Sequence, residues 1–206
     1  MKIALLDLDL GNLRSIQRAI YSIDRSIEVI TTNDPHEINT ADKLIISGVG
    51  AYDTAVRSLE KYNLRSTLNN FYIGQKPILG ICLGMQLMAI SSEEGNLPGL
   101  GWVDSKCRKF DSNVVNVPHM GWNIVQYDHG CDLYKNTPIF YNSLPKFYFV
   151  HSFYIDLNDK SYKIGTTNYQ NKITCSFSKN NLYGVQFHPE KSLTYGINLL
   201  KNFIYL

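Results

Sequence analysis

Along the first half of the 206-residue chain, short, mostly apolar runs alternate with longer stretches in which apolar residues recur every three or four positions. The runs are Ile3–Leu8, Ile27–Ile30, Leu44–Ile46 and Ile78–Cys82. Between them, Ile16, Ala19, Ile20 and Ile23 follow the turn at Gly11-Asn12, and Ala55, Val56, Leu59 and Tyr62 follow Gly50, both at helical spacing. This alternation predicts parallel strands joined by right-handed helical crossovers.

From about Leu100 the pattern shortens. KFYFVHSFYI (Lys146–Ile155) and ITCSF (Ile173–Phe177) are strand-like and set among Asn, Asp, Gly and Pro turns, so the second half is predicted to be β-rich. The last stretch, LTYGINLLKNFIYL, places Ile197, Leu200 and Ile204 on one helical face and predicts a terminal helix packed on the sheet. No repeat, linker or low-complexity tract intervenes, and the length suits one domain over residues 1–206. The expected fold is α/β, with a mostly parallel central sheet, flanking helices and a β-rich second half.

Composition narrows the partners. Hydrophobic residues at 44% and charged residues at 18% suit a globule with a core. A net charge of +2, from 20 basic and 18 acidic residues interspersed, supplies no basic stripe, so no nucleic acid partner is expected. No apolar run approaches the ~20 residues of a membrane span, and the opening MKIALLDLDLGN lacks the features of a secretory signal. Cys82, Cys107, Cys131 and Cys175 are scattered singly, without a CxxC pair or metal-ligand spacing. No membrane, metal or cofactor is expected, and a reducing cytoplasm fits best.

One cysteine has an unusual setting. Gly80-Ile81-Cys82-Leu83-Gly84 ends an apolar run with the G-x-nucleophile-x-G layout of a strand-to-helix elbow. The glycines relieve crowding at the turn, and a thiol there sits at a helix N-terminus, where the dipole favours a thiolate. The bland alternative is a core cysteine at a helix start. A nucleophilic cysteine needs a base and an orienting carboxylate. His188-Pro189-Glu190 supplies both, because residues two apart in an extended segment point to the same side. Alone, that HxE reads equally as a surface loop; its force comes from combination with the elbow.

Taken together, PILGICLGMQ and GVQFHPEKS resemble the class I (triad) glutamine amidotransferases. Within that class, GNLRS (Gly11–Ser15), SGVGAY (Ser47–Tyr52), PHMGWN (Pro118–Asn123) and YFVHSFY (Tyr148–Tyr154) are similar to the glutaminase subunits of imidazole glycerol phosphate synthases, nearly end to end. Anthranilate synthase and GMP synthase glutaminases share the elbow and the HPE but resemble this chain less in PHMGWN. The resemblance implies that Cys82 attacks the glutamine carboxamide, His188 relays protons, Glu190 orients His188, and water hydrolyses a glutamyl thioester. It implies a (β/α)8-barrel cyclase subunit as heterodimeric partner, receiving ammonia to make imidazole glycerol phosphate and an aminoimidazole carboxamide ribotide in histidine biosynthesis.

The oxyanion formed during attack needs donors, one from the backbone N–H of Leu83 and a second from Val49 or Gly50. The resemblance further implies that this Gly48–Gly50 strand rearranges when the synthase is active. Reading Gly48-x-Gly50 as a phosphate loop fails on the absent third glycine, where Asp53 stands. Gln86, Glu94, His151, Ser152 and Phe153 match family positions that bind glutamine. For Gln86 and Glu94 the alternative is an exposed helix face, and for His151 ordinary strand packing. PHMGWN, with Trp122 and Asn123 expected to be exposed, is the candidate docking surface.

Two residues depart from the family pattern. Ser47 replaces the usual proline before the oxyanion glycines, and Asp9 stands in a loop that is commonly glycine-rich. Three functions remain open at this point: a glutaminase of histidine biosynthesis; the same glutaminase feeding a paralogous synthase that amidinates surface-polysaccharide sugars; and a catalytically silent regulatory module, which the joint presence of Cys82, His188 and Glu190 opposes.

Overall fold

The computed structural model describes residues 1–128, 130–138, 144–157, 159 and 161–206. In chain order the regular elements open with β1 (Lys2–Leu6), α1 (Leu13–Ile23), β2 (Glu28–Thr32), α2 (Pro35–Thr40) and β3 (Lys43–Gly48). Then come α3 (Tyr52–Lys61), α4 (Leu64–Ile73), β4 (Ile78–Cys82), α5 (Leu83–Leu87), β5 (Ala89–Ser92) and β6 (Val103–Lys109). The second half holds β7 (His119–Ile124), β8 (Gln126–Tyr127), β9 (Lys146–His151), β10 (Phe153–Asp156), β11 (Lys163–Asn168), β12 (Lys172–Lys179), β13 (Leu182–Val185) and α6 (Leu193–Ile204).

The main sheet runs β2-β1-β3-β4-β13-β12-β10-β6-β5. Its first five strands are parallel: β2, β1, β3 and β4 come from the alternating first half, as predicted, and β13 joins them from the second half; the strands from β12 to β6 are antiparallel. Every residue of β3 and β4 is buried, which is why both read as apolar runs rather than as an alternating pattern. Successive side chains point to opposite faces: Leu44 and Ile46 join a core with Ala55, Leu59, Leu68 and Phe71. Ile45 joins the other core with Ile16, Ile20, Leu200 and Phe203.

Helix α1 buries Leu13, Ile16, Ala19 and Ile20 at helical spacing, and each large aliphatic side chain so buried contributes about 1.5–3 kcal/mol. The predicted terminal helix is α6, and Leu200 and Ile204 are buried as its spacing requires. Its C-terminus is satisfied by Lys43, a buried lysine on β3 whose Nζ donates to the Phe203 carbonyl at 3.0 Å and the Leu206 carbonyl at 3.2 Å. Burial lowers the pKa of that ammonium, with Asp42 opposing.

One element differs from expectation. Lys146–Ile155 reads as one strand but breaks at Ser152 into β9, which pairs with β7 in a separate two-stranded ribbon, and β10, which lies in the main sheet. The corner is held by Phe110 N–H donating to the Ser152 carbonyl at 3.1 Å. Strong β-formers flank His151-Ser152 on both sides, and a two-residue lapse in propensity is too short to mark a corner.

Candidate active site

Strand β4 ends at Cys82 and α5 starts at Leu83 without an intervening loop. The turn forces Cys82 to φ 52° and ψ −110°, a region that costs a non-glycine residue of order 1–3 kcal/mol and is typical of strained functional corners. The flanking glycines follow from close approach of backbone to backbone. A Cβ on Gly84 would lie 1.8 Å from the Ile46 carbonyl oxygen, and one on Gly80 would lie 2.7 Å from the Met85 nitrogen. Strand and helix touch at these points, so the elbow tolerates only glycine there.

Strand β13 is the parallel neighbour of β4, and the chain leaving it through Gln186 and Phe187 brings His188 beside the elbow. His188 N–H donates to the Tyr148 carbonyl at 2.9 Å, which ties this segment to the ribbon strand β9. His188 Nδ1 lies 2.9 Å from Glu190 Oε1, and both side chains are buried. The extended geometry expected for His188–Glu190 is not what brings them together: Pro189–Lys191 is a 3-10 turn with Pro189 at its start, and the two side chains meet across it.

Asn12 Nδ2 donates to the same Glu190 Oε1 at 2.7 Å, so one carboxylate oxygen is held from two sides. The Glu190 Oε2 and His188 Nε2 atoms are buried without a hydrogen bond among the described residues. Burial pushes the His188 imidazole down, but the adjacent Cys82 sulfur and the Glu190 carboxylate outweigh it and raise the pKa to about 10. The Cys82 sulfur itself lies 4.0 Å from the Val150 carbonyl and 3.7 Å from Gln186 Nε2.

Cys82 opens into a cavity of about 330 Å³ walled by Gly48–Gly50, Leu83, Gln86, Glu94 and Val150–Phe153. Gly50 has φ 148°, accessible to glycine and strained for other residues, whereas Val49 N–H is already donated to the Leu10 carbonyl at 3.0 Å. Gln86 is buried, with Nε2 3.1 Å from both the Phe153 carbonyl and Gln186 Oε1. Glu94 stands at the exposed rim; partial burial raises its carboxyl pKa against a hydrogen bond from the Tyr52 N–H. His151 is buried and both its ring nitrogens are engaged, Nε2 with His119 Nδ1 at 2.9 Å and Nδ1 with the Phe153 carbonyl at 2.8 Å.

The remaining cysteines sit elsewhere in the core. Burial pushes the Cys107 thiol up to about 12 and also raises Cys131 and Cys175, so none is a ready nucleophile. Among the described residues no group of His, Cys, Asp and Glu is arranged to hold a metal ion, and no helix is long and apolar enough to cross a membrane.

Three residues of the site, Asn12, Gln186 and His119, lie within GNLRS, GVQFHPEKS and PHMGWN, but the sequence assigns them no role. Gln186 is a polar residue in the apolar run Val185–Phe187 and is fully buried, which is a recognisable signal. Asn12 and His119 reach the site through folding alone. Strand β7 divides by alternation: Met120, Trp122 and Ile124 are exposed, His119 is buried, and Asn123 is half-buried rather than exposed as expected.

A family model described as glutamine amidotransferase class-I matches residues 4–206. Among curated proteins the chain is similar to the imidazole glycerol phosphate synthase subunit HisH 2 of Methanococcus maripaludis, 46% identical over 204 residues and 98% of each chain. It is also similar to the HisH subunit of Leptospira borgpetersenii, 37% identical over 206 residues and 98% of each chain. Among solved structures, PurLQS from Thermotoga maritima superposes with a TM-score of 0.75 at 13% identity, over 99% of this chain and 97% of that one. The glutaminase domain of Trypanosoma brucei CTPS with bound acivicin gives 0.68 at 16% identity, over 100% of this chain and 94% of that one. At these identities the two structures speak for the fold.

Proposed function

Because the chain belongs to the class I glutamine amidotransferases and, within them, to the HisH subunits of imidazole glycerol phosphate synthase, we propose that it hydrolyses glutamine through a thioester on Cys82 and passes the ammonia to a cyclase subunit in histidine biosynthesis. The observation that carries this reading is the elbow cysteine opening into a cavity with His188 beside it, the imidazole fixed through Nδ1 by Glu190 at 2.9 Å.

The Cys82 thiolate attacks the side-chain carboxamide carbon of glutamine, and the carbonyl oxygen takes the displaced electron pair as an oxyanion. His188, protonated at Nε2, donates that proton to the departing nitrogen, which leaves as ammonia as the thioester forms. Neutral His188 then takes a proton from water, hydroxide adds to the thioester carbonyl, and collapse expels the thiolate and releases glutamate. Glu190, held by Asn12, keeps Nδ1–H in place so that Nε2 faces the reaction.

Leu83 N–H is the first oxyanion donor. The second comes from Val49 or Gly50 after this segment turns, since Val49 N–H is spent on Leu10. Glu94 at the rim accepts the α-ammonium group of glutamine, and Gln86 with the His151–Phe153 segment forms the wall that receives the rest. The exposed Met120, Trp122 and Ile124 along β7 form part of the face that meets a (β/α)8-barrel partner in a heterodimer.

The test is glutamine hydrolysis by the chain alone, with the cyclase subunit, and with the subunit plus its substrate, for wild type and Cys82→Ser. Hydrolysis that appears in the loaded complex and vanishes in the variant, with synthesis from added ammonia retained, supports the reading. Undiminished hydrolysis by Cys82→Ser ends it. Capture of a barrel subunit from a synthase that amidinates sugars replaces the acceptor but leaves the glutaminase.

A further inference from the structure

The wall of the cavity is tied to the β7–β9 ribbon through a pair of buried histidines that take no part in the proposed proton transfers, His151 itself standing in that wall. His119 and His151 face each other across the ribbon and are 3% and 6% exposed. Their protons are fixed by their partners. The Phe153 carbonyl, 2.8 Å from His151 Nδ1, only accepts, so Nδ1 carries the hydrogen and Nε2 of a neutral ring is left as an acceptor. His119 Nδ1, 2.9 Å from that Nε2, must then be the donor, which leaves His119 Nε2 to accept from Asn123 Nδ2 at 3.3 Å. Asn123 Nδ2 also donates to the Asn168 carbonyl at 2.9 Å. Any other neutral arrangement sets two lone pairs or two hydrogens face to face. Burial pushes His119 down to about 4 and His151 down to about 3, which keeps both rings neutral near pH 7.

The chain continues to the nucleophile. The Phe153 carbonyl also accepts from Gln86 Nε2 at 3.1 Å, Gln86 Nε2 lies 3.1 Å from Gln186 Oε1, and Gln186 Nε2 lies 3.7 Å from the Cys82 sulfur. An unbroken polar path thus runs from β7, whose outer side chains are apolar and exposed, to the elbow.

We propose that His119 and His151 are positioning residues: a pair locked in the Nδ1–H tautomers that fixes the Ser152–Phe153 corner, and with it the glutamine-binding wall, to the ribbon strand β7. The proposal rests on the glutaminase reading above. Neither histidine touches the reacting atoms; each acts through the corner it holds.

The rings also pack, His119 stacking on Phe149 at 4.6 Å and on Tyr169 at 3.9 Å between centroids. Two substitutions separate packing from hydrogen bonding. His119→Phe keeps a stacked ring and removes the donor, whereas His119→Asn loses the ring and retains an N–H near the Nδ1 position. In the cyclase complex, His119→Phe should raise the KM for glutamine about tenfold, the worth of one such hydrogen bond, with a smaller change in kcat, and His119→Asn should recover most of the loss. Nitrogen-15 NMR of the wild-type chain at pH 7 should show both rings neutral with hydrogen on Nδ1. Unchanged kinetics for His119→Phe, equal losses in both variants, or a ring protonated at Nε2 overturns the proposal. If His119→Phe does not fold, the wild-type tautomers decide. If the wild-type complex hydrolyses no glutamine, the glutaminase reading fails, and the NMR result still decides the tautomer pair.

Discussion

Val49 N–H donates to the Leu10 carbonyl at 3.0 Å, so one of the two N–H groups, Val49 or Gly50, proposed as second oxyanion donor above Cys82 is occupied by the neighbouring loop. Leaving one such donor out typically costs ~10²–10³ in rate. The isolated chain is therefore expected to hydrolyse glutamine at least ~10²-fold more slowly than the substrate-loaded complex. Steady-state assays of the two preparations check this, and equal rates would show that the Val49–Leu10 bond does not restrain activity.

The glycines of the elbow are expected to be irreplaceable. Gly84→Ala drives a methyl group into the Ile46 carbonyl, with backbone on both sides and no flexible side chain to yield. A loss of about 3 kcal/mol or more in urea-denaturation stability, or failure to fold, is the expected outcome. A cost under 1 kcal/mol would mean that α5 and β3 slide apart more easily than their packing indicates.

Asn12 and Glu190 form a graded support for His188. His188→Ala should remove nearly all glutamine-dependent turnover; Glu190→Ala should leave more; Asn12→Ala, which removes only the 2.7 Å hydrogen bond to the Glu190 carboxylate, should cost about tenfold. The three kcat values measured in the cyclase complex test the order, and a larger loss from Asn12→Ala than from Glu190→Ala would contradict it.

How far the sequence discloses the site depends on how local the cause is. The elbow is legible because its causes lie within Gly80–Gly84, where two backbones touch and one residue is strained. His188 and Glu190 are legible as residue types, yet the reason that joins them is a 3-10 turn rather than extended chain. The parallel half of the sheet shows in the apolar runs because burial on both faces suppresses alternation. The corner at Ser152 is invisible because the partners that make it, Phe110 and His119, are far away in sequence. Asp9 explains one departure from the family pattern: its φ of 63° suits the glycine usual there, and aspartate tolerates that conformation while its carboxylate accepts from Lys61 at 2.9 Å and Tyr62 at 2.7 Å.

Stability should fall on mild acidification through the histidine pair. His119 is held down at about 4 by burial, against about 6.5 in the unfolded chain, so between these values only the unfolded chain takes the proton. Folded stability therefore drops as pH falls through this window, by about 2 kcal/mol from His119 between pH 7 and pH 5 at ~1.36 kcal/mol per unit. His151, also depressed, adds with the same sign. His188 is raised to about 10, so its contribution is fully present below about 6.5; from pH 7 to pH 5 it grows by ~1 kcal/mol or less and offsets only part of the fall. Urea denaturation at pH 7 and pH 5 should show a smaller loss for His119→Phe than for wild type; equal losses would place the acid sensitivity elsewhere.

The central claim is that Cys82 alone among the four cysteines is the nucleophile of a glutaminase. Treating the cyclase complex with an electrophilic glutamine analogue and mapping the adducts by mass spectrometry tests it directly. One adduct on Cys82, formed in step with loss of glutamine-dependent activity and prevented by excess glutamine, is the expected result. Loss of activity without modification of Cys82, or with the adduct on Cys107, Cys131 or Cys175, would contradict it.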